Sequence, residues 1–479
     1  MSPARPTPAL LAVLLAAALG GCAVGPDYVR PESATNLPAQ FAPGSAKLAY
    51  SPSVASTWWT LFGDRQLDAL VGKALANSPD ALTAAARVEE ADAVIRQVDA
   101  ALLPQVDATA AGTHSRISQT TATPLPSSVA AVRNNARLAL TTSFELDVWG
   151  KLRRASEAAR AQALGSRYGR DTVALSIAGL VTQGYLNLRA LDAQRLVTAE
   201  SVASAERSLK LTQVRFDGGI ASQLDVQQAD SALATLQAAL LQLDQAREQA
   251  ENLLGYLVGE PGLKIAAGDL RDLPIPPVPP AGLPSSLLEA RPDVRQAETD
   301  LIAANAKIGV AKAALFPGIT LTGNFGRESK DLSQLFTSPS SVWALGAGIT
   351  QPIFEGGRLR AQVDQVTAQQ KQVAEAYRKA VYTAFKETND ALASLRVGAD
   401  AEDTLARALN AAKRNLMLAQ ARYDGGYSPY LEVLTAQRSA NDAALAWIQN
   451  RQARLAASVD LFRALGGGWQ DSQKLAANP

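Results

Sequence analysis

Two periodicities alternate along this chain, and each occurs twice. Apolar residues recur three or four apart over very long stretches, as in Val181, Tyr185, Leu188 and Leu191 and again in Val381, Phe385, Leu392 and Leu395. That spacing marks one face of an α-helix. It predicts helices over about 78–102 and 292–315, very long helices over about 152–214 and 358–421, and returning helices over about 223–257 and 430–464. At about 1.5 Å per residue the longest would run to roughly 90 Å. Such helices are no globular core and need partner helices along their whole length. Between the short and the long helices the period changes to two. Leu138, Leu140, Phe144 and Leu146 alternate with Arg137, Thr141, Ser143, Glu145 and Asp147; Ile319, Leu321 and Phe325 alternate with Thr320, Thr322 and Asn324. Trp343, Leu345, Ala347 and Ile349 stand among small or polar neighbours. Strands are therefore expected at about 105–116, 134–147, 317–326 and 341–353, the first being the weakest. Alternation over about ten residues suits a strand that crosses an outer membrane, apolar to lipid and polar to lumen. It also suits an ordinary hairpin packed on helices by one face.

The two sets of elements are copies. RFDGGIASQLDV at 215–226 matches RYDGGYSPYLEV at 422–433 with an offset of 207, and GKLR at 150–153 matches GRLR at 357–360 at the same offset. The expected organisation is a signal segment over 1–21, an extended, equatorial segment over 22–77, a first repeat over 78–270, a Pro-rich linker over 271–286, a second repeat over 287–465 and a tail over 466–479. In the first repeat the β-hairpin lies at about 105–147 and the helical tip at about 215–225; in the second they lie at about 317–353 and 422–432. One chain thus offers four strands, whereas membrane barrels begin at about eight. Open sheet edges are not tolerated in lipid, so spanning strands would have to be pooled by several chains. Two chains would give a filled interior, and three would leave a channel.

Composition narrows the function. Lys plus Arg number 46 against 45 Asp plus Glu, a net charge of +1, without the basic excess of a nucleic-acid binder. Apolar residues are 47% of the chain but aromatics only 5%. A single His and a single Cys exclude an internal disulfide and every motif that needs pairs of either. His114 is read as a strand residue, and GGGW at 466–469 is no phosphate loop, since it neither follows a strand nor opens a helix. No nucleophile, base and orienting group can be assembled, so neither an enzyme nor a cofactor is expected. The apolar run ALLAVLLAAAL at 9–19 is too short to span a bilayer and has the length of a signal-peptide core. LGGC at 19–22 follows it and looks like a bacterial lipobox, with Cys22 as the acylated first residue of the mature chain.

GCAVGPDYVRP at 21–31, WWTLFGDRQLDALVGKALANSPD at 58–80, ELDVWGKLR at 145–153 and PIFEGGRLR at 352–360 together carry a resemblance over nearly all of the mature chain. The sequence resembles the TolC-like outer-membrane factor family, in its NodT-type lipoprotein branch. The resemblance implies a membrane α+β fold: a homotrimer whose twelve-stranded outer-membrane β-barrel, four strands per chain, continues into a long periplasmic α-helical barrel. It implies the exit duct of a tripartite efflux pump, completed by a periplasmic adaptor and an inner-membrane transporter of the resistance-nodulation-division type, with outer-membrane lipids around the barrel. The cargo implied is drugs or other toxic solutes. An outer-membrane export duct for protein or glycan, and a periplasmic adaptor or structural coiled-coil protein, stay open as alternatives.

The Gly-Gly turns are the candidate site. By periodicity they are hairpin tips, where Gly permits a tight reversal and Ser222 and Ser428 can cap the returning helices. The resemblance implies that these tips form the closed periplasmic aperture and receive the adaptor. The positions matching the family pattern are Arg215, Gly219, Ser222, Leu224 and Asp225 in the first copy, and Arg422, Tyr423, Gly426, Ser428, Leu431 and Glu432 in the second. Ser428 stands where the family's locking arginine is expected. Asp225 and Glu432 are expected to form acidic rings, or to pair with Arg215 or Arg422, or to do no more than favour the helix dipole.

Overall fold

The structure, a computed structural model, describes residues 23–31, 38, 55–118, 120, 130–277 and 291–468. Cys22 lies outside them, as do 278–290 of the linker region and 469–479 of the tail. The element order is α1 (Arg65–Asn77), α2 (Pro79–Ala100), β1 (Gln105–Arg116), β2 (Val132–Leu146), α3 (Lys151–Asp217), α4 (Gln223–Val258), α5 (Pro292–Ala313), β3 (Gly318–Ser329), β4 (Ser341–Thr350), α6 (Arg358–Asp424) and α7 (Tyr430–Ala464). The duplication holds almost to the residue. Helices α3 and α6 are 67 residues each, α2 and α5 are 22 each, and α4 and α7 are 36 and 35. At about 1.5 Å per residue the long helices measure about 100 Å, somewhat more than the expected span because each runs on to its turn.

The chain divides into two compact units, and each draws on both copies. The first comprises 1–31, 88–165 and 297–376. Its four strands form one antiparallel sheet in the order β1-β2-β3-β4. The middle pairing, β2 with β3, joins the two repeats, with Leu140 opposite Phe325 and Phe144 opposite Leu321. Side chains directly opposite share a face, so Ala108, Leu140, Phe325 and Trp343 line up on one side of the sheet while Asp107, Thr141, Asn324 and Ala344 line up on the other. The helix that follows β2 begins where the motif ELDVWGKLR places a carboxylate: Asp147 accepts the amides of Leu152 and Arg153, both at 2.9 Å. Those amides are among the orphan donors of a helix start.

The second unit comprises 32–87, 166–296 and 377–479. Its core gathers Trp58 and Phe62, the α1 face Leu67, Leu70, Val71 and Ala74, the α3 stripe Val181, Tyr185 and Leu188, and Leu455, Val459 and Phe462 of α7. Within the stretch expected as an extended or equatorial segment, Trp58–Phe62 form a 3-10 turn and Arg65–Asn77 are helical. Asp64 caps α1 by accepting the Gln66 amide at 2.8 Å, and the buried positions at i, i+3, i+4 and i+7 from Leu67 supply its inner face. A charged network ties the following connection to the long helices. Arg247 donates to Asp192 at 2.6 Å, Arg189 donates to the Ala266 carbonyl at 2.7 Å, and Glu251 accepts the Ile265 amide at 2.9 Å.

Candidate functional site

Two regions carry chemistry, the sheet of the first unit and the hairpin tips of the second. One face of the sheet exposes its larger apolar side chains, with Leu345 81%, Trp343 72% and Phe325 64% exposed. A water-exposed sheet face of that size is unstable, and in lipid it is the favourable arrangement. The opposite face carries Thr, Asn and charged groups, with Asn135 donating to Glu328 at 2.9 Å. His114 sits on edge strand β1, its Nδ1 2.5 Å from the Asn134 side-chain oxygen. Among the described residues no His, Cys, Asp and Glu cluster could hold a metal ion.

Both tips reverse by the same device. Gly219 and Gly426 hold φ of 73° and 76°, a region where side chains clash and glycine does not. The chain then folds back on the end of its own helix, Ile220 N donating to the Arg215 carbonyl at 2.8 Å and Tyr427 N to the Arg422 carbonyl at 2.9 Å. These bonds satisfy carbonyls that a helix end otherwise leaves open.

Past the turn the copies diverge. Ser222 is the N-cap of α4, and a reciprocal capping box joins it to Asp225. The Asp225 amide donates to Ser222 Oγ at 3.2 Å, and the Asp225 carboxylate accepts the Ser222 amide at 2.9 Å and its hydroxyl at 2.7 Å. Of the roles open to Asp225, the structure thus shows one at the helix start. Ser428 does not act as expected. The N-cap of α7 is Pro429, which offers no side-chain oxygen, and at the 207-residue offset Pro429, not Ser428, is the counterpart of Ser222. The Ser428 hydroxyl is buried without a hydrogen-bond partner. Glu432 instead stands 3.9 Å from Arg422 of the same hairpin.

Arg215 joins the two hairpins. Its guanidinium lies 4.3 Å from the Tyr423 ring centre, donates to the carbonyls of Tyr423 at 2.9 Å and Asp424 at 3.2 Å, and comes within 3.9 Å of the Asp424 carboxylate. It thereby meets open carbonyls at the negative end of α6. Tyr423 is buried, its ring 5.5 Å from that of Tyr430 and its hydroxyl 3.3 Å from Thr212 Oγ1. Sequence reasoning missed Thr212, Asp424 and Tyr430. Tyr430 was open to detection, since Tyr430, Val433 and Leu434 follow helical spacing. Leu224 and Leu431 point outward at 65% and 55% exposure, together with Ile220 at 81% and Tyr427 at 83%. The tips therefore end in an apolar fringe over a polar, aromatic joint.

Comparison with known proteins fits this geometry. The family model described as outer membrane efflux protein matches residues 70–260 and 283–467. The pyoverdine export outer membrane protein OpmQ of Pseudomonas aeruginosa is 38% identical over 88% of this chain and 89% of its own length. The cation efflux system protein CusC of Escherichia coli is 34% identical over 98% of this chain and the whole of its own. The toluene efflux pump outer membrane protein TtgF of Pseudomonas putida is 34% identical over 98% of each chain. Among solved structures, the outer-membrane channel OprN matches with a TM-score of 0.87 at 29% identity, over 94% of this chain and all of that one. A CusC structure matches with a TM-score of 0.83 at 32% identity, over 93% of this chain and all of that one. The chain belongs to the outer membrane efflux protein family.

Proposed function

We propose that this outer-membrane efflux channel works as a homotrimer, the passive exit duct of a tripartite pump. The observation that carries the reading is the four-stranded sheet with one exposed apolar face and two open edges, β1 and β4. Unpaired edges cannot persist in lipid, and joining edges among three copies gives a twelve-stranded barrel with room for a channel. The long helices continue it into the periplasm, and the hairpin tips form the far aperture, where a periplasmic adaptor and an inner-membrane transporter engage. The residues assigned to aperture and adaptor contact are Arg215, Gly219, Ser222, Leu224, Asp225, Arg422, Tyr423, Gly426, Ser428, Leu431 and Glu432. Cys22 carries the acyl anchor; each buried methylene adds about 0.8 kcal/mol, so several chains hold membrane firmly.

The duct does not choose its cargo. Three relatives of nearly equal similarity carry names that refer to pyoverdine, cations and toluene, solutes with no common chemistry, so selection belongs to the transporter. A channel has no substrate to transform, and the chain accordingly lacks enzymatic activity. Native mass measurement in detergent tests the assembly and is expected to give three chains; a stable monomer with intact strands would refute it. Restored solute export in a channel-deleted host supplied with the neighbouring adaptor and transporter tests the function, and no restoration by a correctly inserted trimer would count against it.

A further inference from the structure

The connection between β3 and β4 lies at the end of the sheet away from the helices, since α5 leads into β3 and α6 follows β4. With the helices in the periplasm, this end meets the outer leaflet. From Ile319 to Arg327 strand β3 covers about 27 Å, which a tilt of about 40° reduces to about 21 Å of depth, close to the apolar band of about 25 Å in a membrane barrel. Arg327 stands opposite Leu138 and Ser341 and in phase with Phe325, so it shares the apolar face and marks its outer margin. Charge is divided sharply between the faces. Among the strand residues, the carboxylates Asp107, Glu145 and Glu328 all fall on the polar face, and the acidic or basic side chains on the apolar face, His114 aside, are Arg116 and Arg327, both toward the outer end. Arg327 Nη1 donates to the Thr337 carbonyl at 2.9 Å, which draws the connection toward the apolar side. The connection is ordered by its own polar groups. Leu332–Gln334 and Ser338–Ser340 form 3-10 turns. Ser329 Oγ donates to the Asp331 carbonyl and Thr337 Oγ1 to the Gln334 carbonyl, both at 2.7 Å, and Ser340 Oγ lies 2.5 Å from the Leu335 carbonyl oxygen. Leu335 is buried, yet Leu332 and Phe336 are 75% and 72% exposed. One exposed Leu means little, but two large apolar side chains held out on a fixed backbone mark a contact surface. Lys330 stands beside them, exposed, its ammonium 3.8 Å from Asp331.

We infer that the β3–β4 connection docks the phosphorylated glycolipid of the outer leaflet, with Leu332 and Phe336 among its acyl chains and Arg327 and Lys330 on its phosphates. The inference rests on the sheet being the membrane-spanning part of the chain and adds which lipid it meets at its outer margin. The surface is continuous with the apolar face of Phe325 and Trp343, which lipid already covers. A second copy joins through the edges β1 and β4 and leaves this face free. A cover for the pore mouth would lean toward the polar face, whereas the bond from Arg327 holds the connection on the other side. That bond uses one of the five N–H donors of the guanidinium, and the remaining donors suit phosphate oxygens, which take short, charge-assisted bonds. Cations beside apolar side chains at the membrane boundary are the pattern that anionic lipid heads select. A lipid with several acyl chains and more than one phosphate satisfies both halves of the surface at once.

Native mass measurement of the full trimer in detergent, with lipid A titrated in, tests this. Wild type should hold bis-phosphorylated lipid A at least about fivefold more tightly than the monophosphorylated form or phosphatidylglycerol. Arg327→Gln combined with Lys330→Gln should remove that preference, and Leu332→Ser combined with Phe336→Ser should weaken both forms of lipid A alike. Should the arginine variant fail to assemble, Lys330→Gln alone should still narrow the preference. A second readout places a polarity-sensitive dye at Phe336→Cys in a Cys22→Ser chain, in phosphatidylcholine vesicles with lipid A in both leaflets. Its emission should shift to the blue and be quenched by spin labels on acyl chains, not by iodide in solution. Equal lipid A binding by wild type and both double variants, a preference for phosphatidylglycerol, or quenching by iodide alone in an intact trimer would overturn the dock and leave the channel reading as it is. A chain that stays monomeric and does not enter vesicles would overturn the membrane-spanning reading, and the dock with it.

Discussion

Arg215 does at the tips what no carboxylate there does. A guanidinium can stack on a ring and donate to two carbonyls at once, and a lysine ammonium on a flexible stem cannot reproduce that fork. Arg215→Lys should therefore loosen the joint although the charge is kept. The expected result is faster hydrogen exchange in 212–222 and 419–430 and a higher single-channel conductance, and a variant identical to wild type in both would remove Arg215 from the joint. Ser222 acts within one hairpin. Ser222→Ala should cost about 1 kcal/mol, the usual worth of an N-cap, read as faster exchange confined to the start of α4. The sequence pointed to Arg215, Gly219 and Ser222 because helix ends leave local signatures. It misassigned Ser428 because the alignment of two serines hid a one-residue difference, which puts Pro429 at the cap. It missed Asp424 because Arg215 uses the Asp424 backbone carbonyl, and a carbonyl has no letter in a sequence.

At the scale of elements, the period-two rows gave the four strands within a few residues at most ends, and the 3.6-residue stripes gave the long helices. Helix α1 was overlooked because a short amphipathic run lay within a stretch read for its motif, although Leu67, Leu70, Val71 and Ala74 spell out its buried face. The pairing of β2 with β3 was beyond reach, since it joins strands more than 170 residues apart in sequence and strand order leaves no local mark. The two sheet faces make a direct prediction. Leu345→Arg places a charge on the exposed apolar face and should cost about 2–4 kcal/mol if it lies near the bilayer midplane, whereas Thr322→Arg on the polar face should be tolerated. Urea unfolding in detergent or vesicles measures both, and equal effects would mean that the faces are assigned wrongly. The network below α4 predicts a pH effect. Burial opposes ionisation of Glu251, but the Ile265 amide, Lys264 and Arg247 together hold its carboxyl below the ordinary value. A depressed pKa adds stability above the usual carboxylate range, near about 4.3, and the contribution is lost as pH falls through the depressed value. Glu251→Gln should cost about 1–3 kcal/mol at pH 7, and its deficit should shrink in acid; thermal unfolding at the two pH values checks this.

For the whole molecule the telling feature is the equality of the two long helices, 67 residues each, with returning arms of 36 and 35. Each copy of the repeat ends in one hairpin tip, so a trimer presents six such teeth. Seven residues added to both arms of one hairpin, one heptad each, would carry its tip about 10 Å beyond its twin while leaving every other stripe in phase. Such a chain is expected to fold, to trimerise and to sit in the membrane as before, yet fail to restore export because only alternate teeth would meet a flat partner. The same insertion made in both hairpins would lengthen all six teeth together and should restore export wherever the partner has slack to follow. Duplication thus acts as a length gauge. Neither copy can drift alone, and any change in the reach of the tube must be written into the chain twice.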